Sequence, residues 1–278
     1  MCEFCHQHGE GKKWYLAASN YASELFNSAA RKSMSTTLGA LGAPPRTEAF
    51  EPLPALHTMF HMAPRLTQWI VRRQQQKNHW GQVVPLEDAV QVLDMMDWVV
   101  RLPCVCRSVT IGDRNARYCL GIGLAPLEEP VRQHLSQILD PALSLDTLTK
   151  DEARRLVGEL DHAGAVHSVW TFNSPYIGGL CNCDQDCLAY QGQMRWKLPI
   201  MFRAEYVAQV DAERCTGCRQ CMSRCQFGAI NYSLTHERSA INPAACYGCG
   251  VCRAACQHEA ITLVPRQGVP IAASHWDL

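Results

Sequence analysis

The sequence predicts an α+β fold in two parts, a mixed helix-and-strand, cysteine-rich N-terminal domain over residues 1–205 and a smaller C-terminal domain over 206–278. Three observations predict it. Helix-period segments alternate with short strand-like runs through the N-terminal part. A four-cysteine run, CTGCRQCMSRCQ from Cys215, returns as CYGCGVCRAACQ from Cys246. A chain of 278 residues is also long enough for two ordinary domains with apolar cores, so it needs no sulfur cross-links to fold.

The elements follow in chain order. Residues 16–38 and 55–79 read as helices, the second kinked at Pro64. Pro85 opens a clearer one in PLEDAVQVLDMMDWVV, with Leu86, Ala89, Val90, Leu93, Met96 and Val100 near one face and Glu87 and Asp88 in the first turn. Strands are expected through Leu102–Val109 and Arg117–Gly121, separated by the turn-like GDRN. EEPVRQHLSQIL then precedes a capping box, Thr149 with Glu152, which opens a helix ending near Gly164. The strand AVHSVWTF comes next, and the helix with its following hairpin could form a winged-helix-like piece.

Composition narrows the function classes. Twenty-six basic and 26 acidic side chains cancel, so no global field draws the chain to nucleic acid or anionic lipid, and no nucleic-acid partner is expected. No stretch has the roughly 18 uninterrupted apolar residues of a spanning helix, so no membrane span is expected. The opening MCEFCHQHGEGKKWYL lacks an apolar export core, so export is not expected and a cytoplasmic location is. There, 16 cysteines at fixed spacing point to metal binding rather than disulfides.

The strongest signal is Cys215-x-x-Cys218-x-x-Cys221-x-x-x-Cys225, repeated as Cys246-x-x-Cys249-x-x-Cys252-x-x-x-Cys256. Ala229-Ile230 and Ala260-Ile261 follow the two runs as strand starts. The x-x spacing lets three thiolates of one loop converge on one iron cube, while the fourth, three residues on, is carried away from it. Structural zinc is the alternative, but its sites present two two-cysteine knuckles, where a third cysteine at the same interval has no place. These residues resemble the bacterial-type two-cluster ferredoxins, and the resemblance covers about the last 75 residues. It implies a ferredoxin-like dicluster domain with one [4Fe-4S] cluster on Cys215, Cys218, Cys221 and Cys256 and a second on Cys246, Cys249, Cys252 and Cys225. Gln226 and Gln257 stand where that family usually has proline after the fourth cysteine. Each restores a donor beside a cluster, which would raise its potential. Arg214, Arg219, Arg224 and Arg253 lie in or beside the loops, as solvated surface or as a cationic docking rim.

Six further cysteines lie in PCVCR (Cys104, Cys106), YCL (Cys119) and LCNCDQDC (Cys181, Cys183, Cys187). On a strand Cys104 and Cys106 would share a face, and the last three read as a Gly-flanked loop able to fold round a bulky ligand. These elements are similar to those of multi-cluster iron–sulfur proteins of anaerobic bacteria. That resemblance implies a third [4Fe-4S] cluster on Cys106, Cys181, Cys183 and Cys187, with Cys104 and Cys119 in reserve; structural zinc or free buried thiols are the alternatives. Cys2 and Cys5, with His6 or His8 near, could form a zinc or cluster corner or be free thiols at a frayed end. The C-x-x-C-H there is also a haem-attachment spacing, which would require export.

No substrate-handling motif is evident. Cys183-x-x-x-Cys187 begins a radical-SAM trio, but Tyr190 stands where the third cysteine belongs. Gly121-Ile-Gly123-Leu-Ala-Pro126 lacks the third glycine of a dinucleotide site. The expected function is therefore one-electron transfer between bound clusters and redox protein partners, as a subunit or partner of a larger oxidoreductase in an anaerobic cytoplasm. One alternative is an iron–sulfur oxidoreductase or reductive activator whose N-terminal cluster is the active site. Another is an iron–sulfur sensor that binds DNA through the winged-helix-like piece. Against it, DEARRLVGELDH sets only Arg154 and Arg155 against Asp151, Glu152, Glu159 and Asp161.

Overall fold

In a computed structural model that describes residues 11–39, 41, 64–139 and 145–274, the N-terminal part is built on a seven-stranded sheet. Three short 3-10 turns, Trp14–Leu16, Ala18–Tyr21 and Ser23–Leu25, lead into α1 (Ser28–Gly39). Then come α2 (Pro64–Asn78), β1 (Gly81–Val83), α3 (Leu86–Met95), β2 (Trp98–Leu102), α4 (Val105–Ile111), β3 (Cys119–Gly123) and α5 (Glu128–Ile138). β4 (Asp146–Leu148), α6 (Lys150–Ala163), β5 (Val166–Thr171), β6 (Ile177–Cys183), α7 (Leu188–Met194) and β7 (Met201–Phe202) complete it. The strand order is β4-β2-β3-β6-β5-β1-β7, antiparallel throughout except for the parallel β1–β7 pair.

Strand alternation divides the core between the two faces of this sheet. Val99, Leu120, Ile122, Val169 and Leu180 pack with Leu93 of α3 and Val157 of α6. Trp98, Val100 and Leu102 point the other way, against Met34 of α1 and Val131 and Leu135 of α5. The capping box at Thr149 and Glu152 is formed, and α6 ends at Gly164 in the left-handed conformation, as the sequence leads one to expect.

The structure differs from expectation in several places. The helix opened by Pro85 stops at Met95, and β2 occupies the place expected for its last turn. The β-branched and aromatic run Trp98–Val100 buries both faces between β4 and β3, which outweighs helix period. Cys104 then caps α4, so Cys104 and Cys106 lie on a helix start and not on one strand face. Cys181 and Cys183 belong to β6, leaving only Cys187 in the loop beyond it. The first part of the helix expected over 16–38 is replaced by 3-10 turns that bury Trp14, Tyr15 and Tyr21 in one core cluster, and α1 starts after Asn27, whose side chain accepts the N–H groups of Ala29 and Ala30. Of the helix expected over 55–79, the described residues hold Pro64–Asn78 as α2; the part before Pro64, like Cys2 and Cys5, lies outside the described residues. The β5–β6 hairpin cannot serve as a wing, because β5 is also paired with β1 and β6 with β3 inside the sheet.

The C-terminal part pairs β8 (Tyr206–Val210) with β11 (Ile261–Pro265), and β9 (Ile230–Ser233) with β10 (Arg238–Ile241). Two short helices, α8 (Gln220–Arg224) and α9 (Val251–Ala254), follow the first two cysteines of each run and contain the third, and α10 (Pro270–Ala273) closes the described chain. β9 and β11 begin at Ile230 and Ile261, the expected strand starts.

Polar groups join the two parts. Asp88, fully buried in the first turn of α3, accepts from Tyr15 Oη (2.6 Å), Lys13 Nζ (2.9 Å) and Tyr206 Oη (3.1 Å). Arg266, 0% exposed, donates to the carbonyls of Ala204 (2.7 Å), Tyr206 (2.8 Å) and Cys246 (2.8 Å). Replacing it with methionine would leave those carbonyls without their charge-assisted partner. Arg266→Met is expected to lower unfolding free energy by about 3–5 kcal/mol. Guanidinium chloride unfolding of anaerobically prepared protein checks this, and a loss below about 1 kcal/mol would contradict the role assigned to Arg266.

Candidate iron–sulfur sites

Each cysteine run of the C-terminal part starts with a turn that only glycine fits. Gly217 and Gly248 both have φ of 70°, and a Cβ there would stand 2.3 Å from the Glu237 carbonyl oxygen and 2.2 Å from that of Tyr206. The turns face two hollows. One, of about 320 Å³, is lined by Cys215, Cys218, Cys221 and Cys256, with Val210 and Ile261 as apolar wall. The other, of about 340 Å³, is lined by Cys246, Cys249, Cys252 and Cys225, with Phe227 and Tyr247 stacked beside it at 3.9 Å. Each hollow therefore takes three cysteines from one run and the fourth from the other.

The two runs use backbone N–H groups in the same way. Ala229 N–H donates to Cys225 Sγ (3.2 Å) and Ala260 N–H to Cys256 Sγ (3.3 Å), while Ala208 and Gly248 donate to Cys246 Sγ (both 3.4 Å). Burial pushes Cys252 up to about 12, with Cys246 and Cys225 adding to the shift, and burial likewise raises Cys221 and Cys249. Four sulfur donors set in apolar walls, with backbone N–H groups aimed at sulfur, fit a thiolate-bound iron–sulfur cluster. The hollows differ in access: Cys218 is exposed, whereas Cys246 and Cys252 are buried.

The glutamines and arginines beside the runs have other work than the sequence suggests. The Gln226 side chain donates to the Gly164 carbonyl at the end of α6, and Tyr190 Oη donates to the Gln226 carbonyl. Its amide group thus braces the two parts instead of facing a hollow, and Gln257 is exposed. Arg224 caps α6 at the Ala163 carbonyl (2.8 Å), and Arg253 grips Glu87 of α3 with two bonds (2.6 and 2.7 Å). Arg214 pairs with Glu259 at 2.8 Å, and Arg219 lies over the Tyr232 ring at 3.9 Å. Each of the four thus has a partner within the chain, while Arg214, Arg219 and Arg224 remain exposed.

The six N-terminal cysteines come together from four places in the fold. Cys104 caps α4, Cys106 lies in its first turn, Cys119 begins β3, Cys181 and Cys183 end β6, and Cys187 caps α7. Cys183 is hydrogen-bonded to Cys187, and Cys106 lies within the electrostatic reach of Cys187, Cys181 and Cys104. Cys119 is bonded to both Cys104 and Cys181, so the two reserve candidates join the same set as the other four. Burial drives Cys106 above the ordinary thiol range. Cys104 is held down at about 6 by its bond to Cys119, the Tyr118 N–H at 3.0 Å and the charge of Arg107. Among the described residues, no three or more His, Cys, Asp or Glu side chains stand in the geometry of a single metal ion, and this holds equally for the cysteines of both hollows.

The surroundings of this set include residues to which no sequence motif pointed. Arg107, buried on α4, is bonded to Asp184 (2.6 Å) and the Asn182 carbonyl (3.4 Å) and lies over the Tyr118 ring at 4.2 Å. Asn182, between Cys181 and Cys183, donates to the Tyr118 carbonyl (2.6 Å). Ser168 Oγ contacts Cys183 Sγ at 3.8 Å. The usable signal was strand alternation, which sends Asn182 of the Cys-Asn-Cys element to the opposite face from its neighbours. Ala189, in the first turn of α7, has its backbone N–H within the electrostatic reach of Cys106 and belongs to the same buried apolar cluster as Phe227 and Tyr247, against which Cys225 and Cys249 pack.

Among the described residues, no helix is long and apolar enough to cross a membrane. No curated protein matches this chain. Residues 208–257, a span that contains both cysteine runs, match the family model of the 4Fe-4S dicluster domain, and the C-terminal region of this chain is accordingly identified as a ferredoxin-type dicluster domain, the kind of domain that supports iron–sulfur electron transfer.

Proposed function

We propose that this protein carries single electrons along three [4Fe-4S] sites in series, as a subunit or dedicated partner of a larger redox enzyme in an anoxic cytoplasm. The first site comprises Cys215, Cys218, Cys221 and Cys256, and the second Cys246, Cys249, Cys252 and Cys225. The third comprises Cys106, Cys181, Cys183 and Cys187. The division near residue 205 separates the two-site domain from the third. A cluster, when bound, supplies a one-electron couple; the chain supplies thiolate ligands, insulation and orientation.

The observation that carries this reading is the first turn of α7. Its Ala189 backbone acts on Cys106, the Ala189 side chain shares a buried cluster with Phe227 and Tyr247 of the second hollow, and Tyr190 Oη donates to the carbonyl of Gln226, beside Cys225. One helix, about 10 Å thick with its side chains, thus stands between the second and third sulfur sets. The exposed Cys218 at the other end favours the first site as the point of contact with a donor or acceptor. A second reading, with the N-terminal site as a reaction centre, is favoured by the sulfur count there: Cys104 and Cys119 exceed the four ligands a cube requires.

Anaerobically isolated protein is expected to contain about twelve iron and twelve acid-labile sulfide per chain. Cys183→Ala in the full chain should reduce both to about eight, whereas a zinc site would give one zinc and no added sulfide. In Cys225→Ser, the EPR signal of the site holding Cys246 should change while that of the Cys215 site persists; selective loss of the latter would overturn the crossed assignment. Tyr190→Phe should keep the full iron content yet slow electron passage from the C-terminal domain to the N-terminal site several-fold in rapid-freeze EPR. An unchanged rate would remove the α7 turn from the path.

A further inference from the structure

A buried histidine lies one strand away from the N-terminal sulfur set. His167 on β5 is 0% exposed and stands opposite Asn182 of β6 in the sheet register. Because Asn182 donates its amide N–H to the Tyr118 carbonyl, its Oδ1 is left to face His167 Nδ1 at 2.6 Å. A carbonyl oxygen can only accept, so Nδ1 carries a proton and donates it. That fixes the other nitrogen. In a neutral ring Nε2 would be a bare lone pair, yet it points at Asp161 Oδ1, 3.5 Å away, and has no hydrogen-bond partner. Two lone pairs facing each other in a dry interior repel, and one proton between them turns the contact into an ion pair or a hydrogen bond.

The surrounding charges define how such a proton would be held. From α6 come Asp161, 7% exposed, and the negative end of a 14-residue helix. Arg253 of α9 acts on Asp161 from the other side, but its charge is matched by Glu87 of α3. Arg107 of α4 reaches the Asn182 carbonyl and is matched by Asp184. β6 supplies Asn182, with Cys181 and Cys183 on either side of it. With both arginines already paired, His167 and Asp161 are the groups placed to answer a new negative charge on the neighbouring sulfur set.

We propose that His167 and Asp161 form a proton-binding site for the N-terminal iron–sulfur set, taking up one proton as one electron arrives there. The proposal rests on the third-cluster reading above. The electron comes from the C-terminal domain and the proton from water at the exposed edge of Asp161. The only bond made is N–H or O–H, and the net charge of the region stays constant. In a low-dielectric interior that constancy offsets much of the cost of adding an electron beside four thiolates. The protein would then deliver an electron and a proton together to whatever the N-terminal site serves, as reactions that hydrogenate a substrate require.

The test is a redox titration, at several pH values, of the EPR signal that Cys183→Ala removes, on full-length protein with iron counted in each sample. Since the reduced state binds the extra proton, the midpoint potential should rise as pH falls, by about 59 mV per pH unit, the one-electron equivalent of a tenfold change in proton concentration. His167→Gln and Asp161→Asn should each flatten that dependence while keeping about twelve iron. Two variants guard against one that fails to fold. Twelve iron with a pH-independent potential in the native chain overturns the proton site and leaves the third cluster standing. A slope that survives in either folded variant overturns it as well. About eight iron in the native chain overturns the third cluster and the coupling with it.

Discussion

A guanidinium that is cut off from water and cannot shed its charge must be enclosed by acceptors, and this requirement governs how the two parts of the protein meet. Arg266 satisfies it with the carbonyls of Ala204, Tyr206 and Cys246. Burial lowers its pKa only to about 10, so the side chain remains charged at neutral pH. Three stretches far apart in sequence are pinned at one point: the segment leaving the large sheet, the first cysteine of the second run and the end of β11. The second hollow inherits its position from that anchorage, because Cys246 both lines the hollow and supplies a carbonyl that accepts from Arg266.

Around that point the seam is consistent in its chemistry. Gln82 of β1 donates to the Arg203 carbonyl (2.6 Å), Gln193 of α7 donates to Tyr247 Oη (2.5 Å), and Asp88 gathers hydroxyls from both parts. Between these polar contacts lies an apolar layer of Val166, Ala189, Met201, Phe227, Tyr247 and Val251. Several polar groups in it, among them Gln193, Gln226 and Asp88, bond to a group of the other part, so separating the two would expose unpaired polar groups as well as apolar surface. This explains why residues that look like surface features of a free ferredoxin, Gln226, Arg224 and Arg253, are spent on the seam.

The N-terminal sulfur set follows a different logic. Its six thiols come from two strand ends and two helix starts, places where the backbone changes direction and side chains at modest sequence separation can converge. Helix α4 takes Cys104 and Cys106 off any common strand face, yet it brings both beside β6, because Arg107 locks α4 to Asp184 and to the Asn182 carbonyl. α7, starting from Cys187, then carries the set up against the second hollow. The sheet holds sulfur on one side of β6 and a polar Asn182–His167–Asp161 line on the other.

The sequence by itself determined what depends on local spacing. The eight-cysteine repeat, the glycines at its turns, the strand starts at Ile230 and Ile261 and the cap of α6 are all short-range patterns, and each is found where the sequence puts it. It identified the remaining cysteines of the N-terminal set but not their setting, since a run such as Trp98–Val109 reads as helix, strand or both until its neighbours are known. Pairing of β2 between β4 and β3 settled that conflict through burial on both faces, and α4 followed from the stop at Pro103. Only tertiary structure decided that Cys104 and Cys119 join the other four, that Arg224 and Arg253 turn to a helix end and a carboxylate of the N-terminal part, and that α7 separates two sulfur sets. Those outcomes depend on contacts between residues tens of positions apart, whose free energy resides in desolvated pairs that no local pattern encodes.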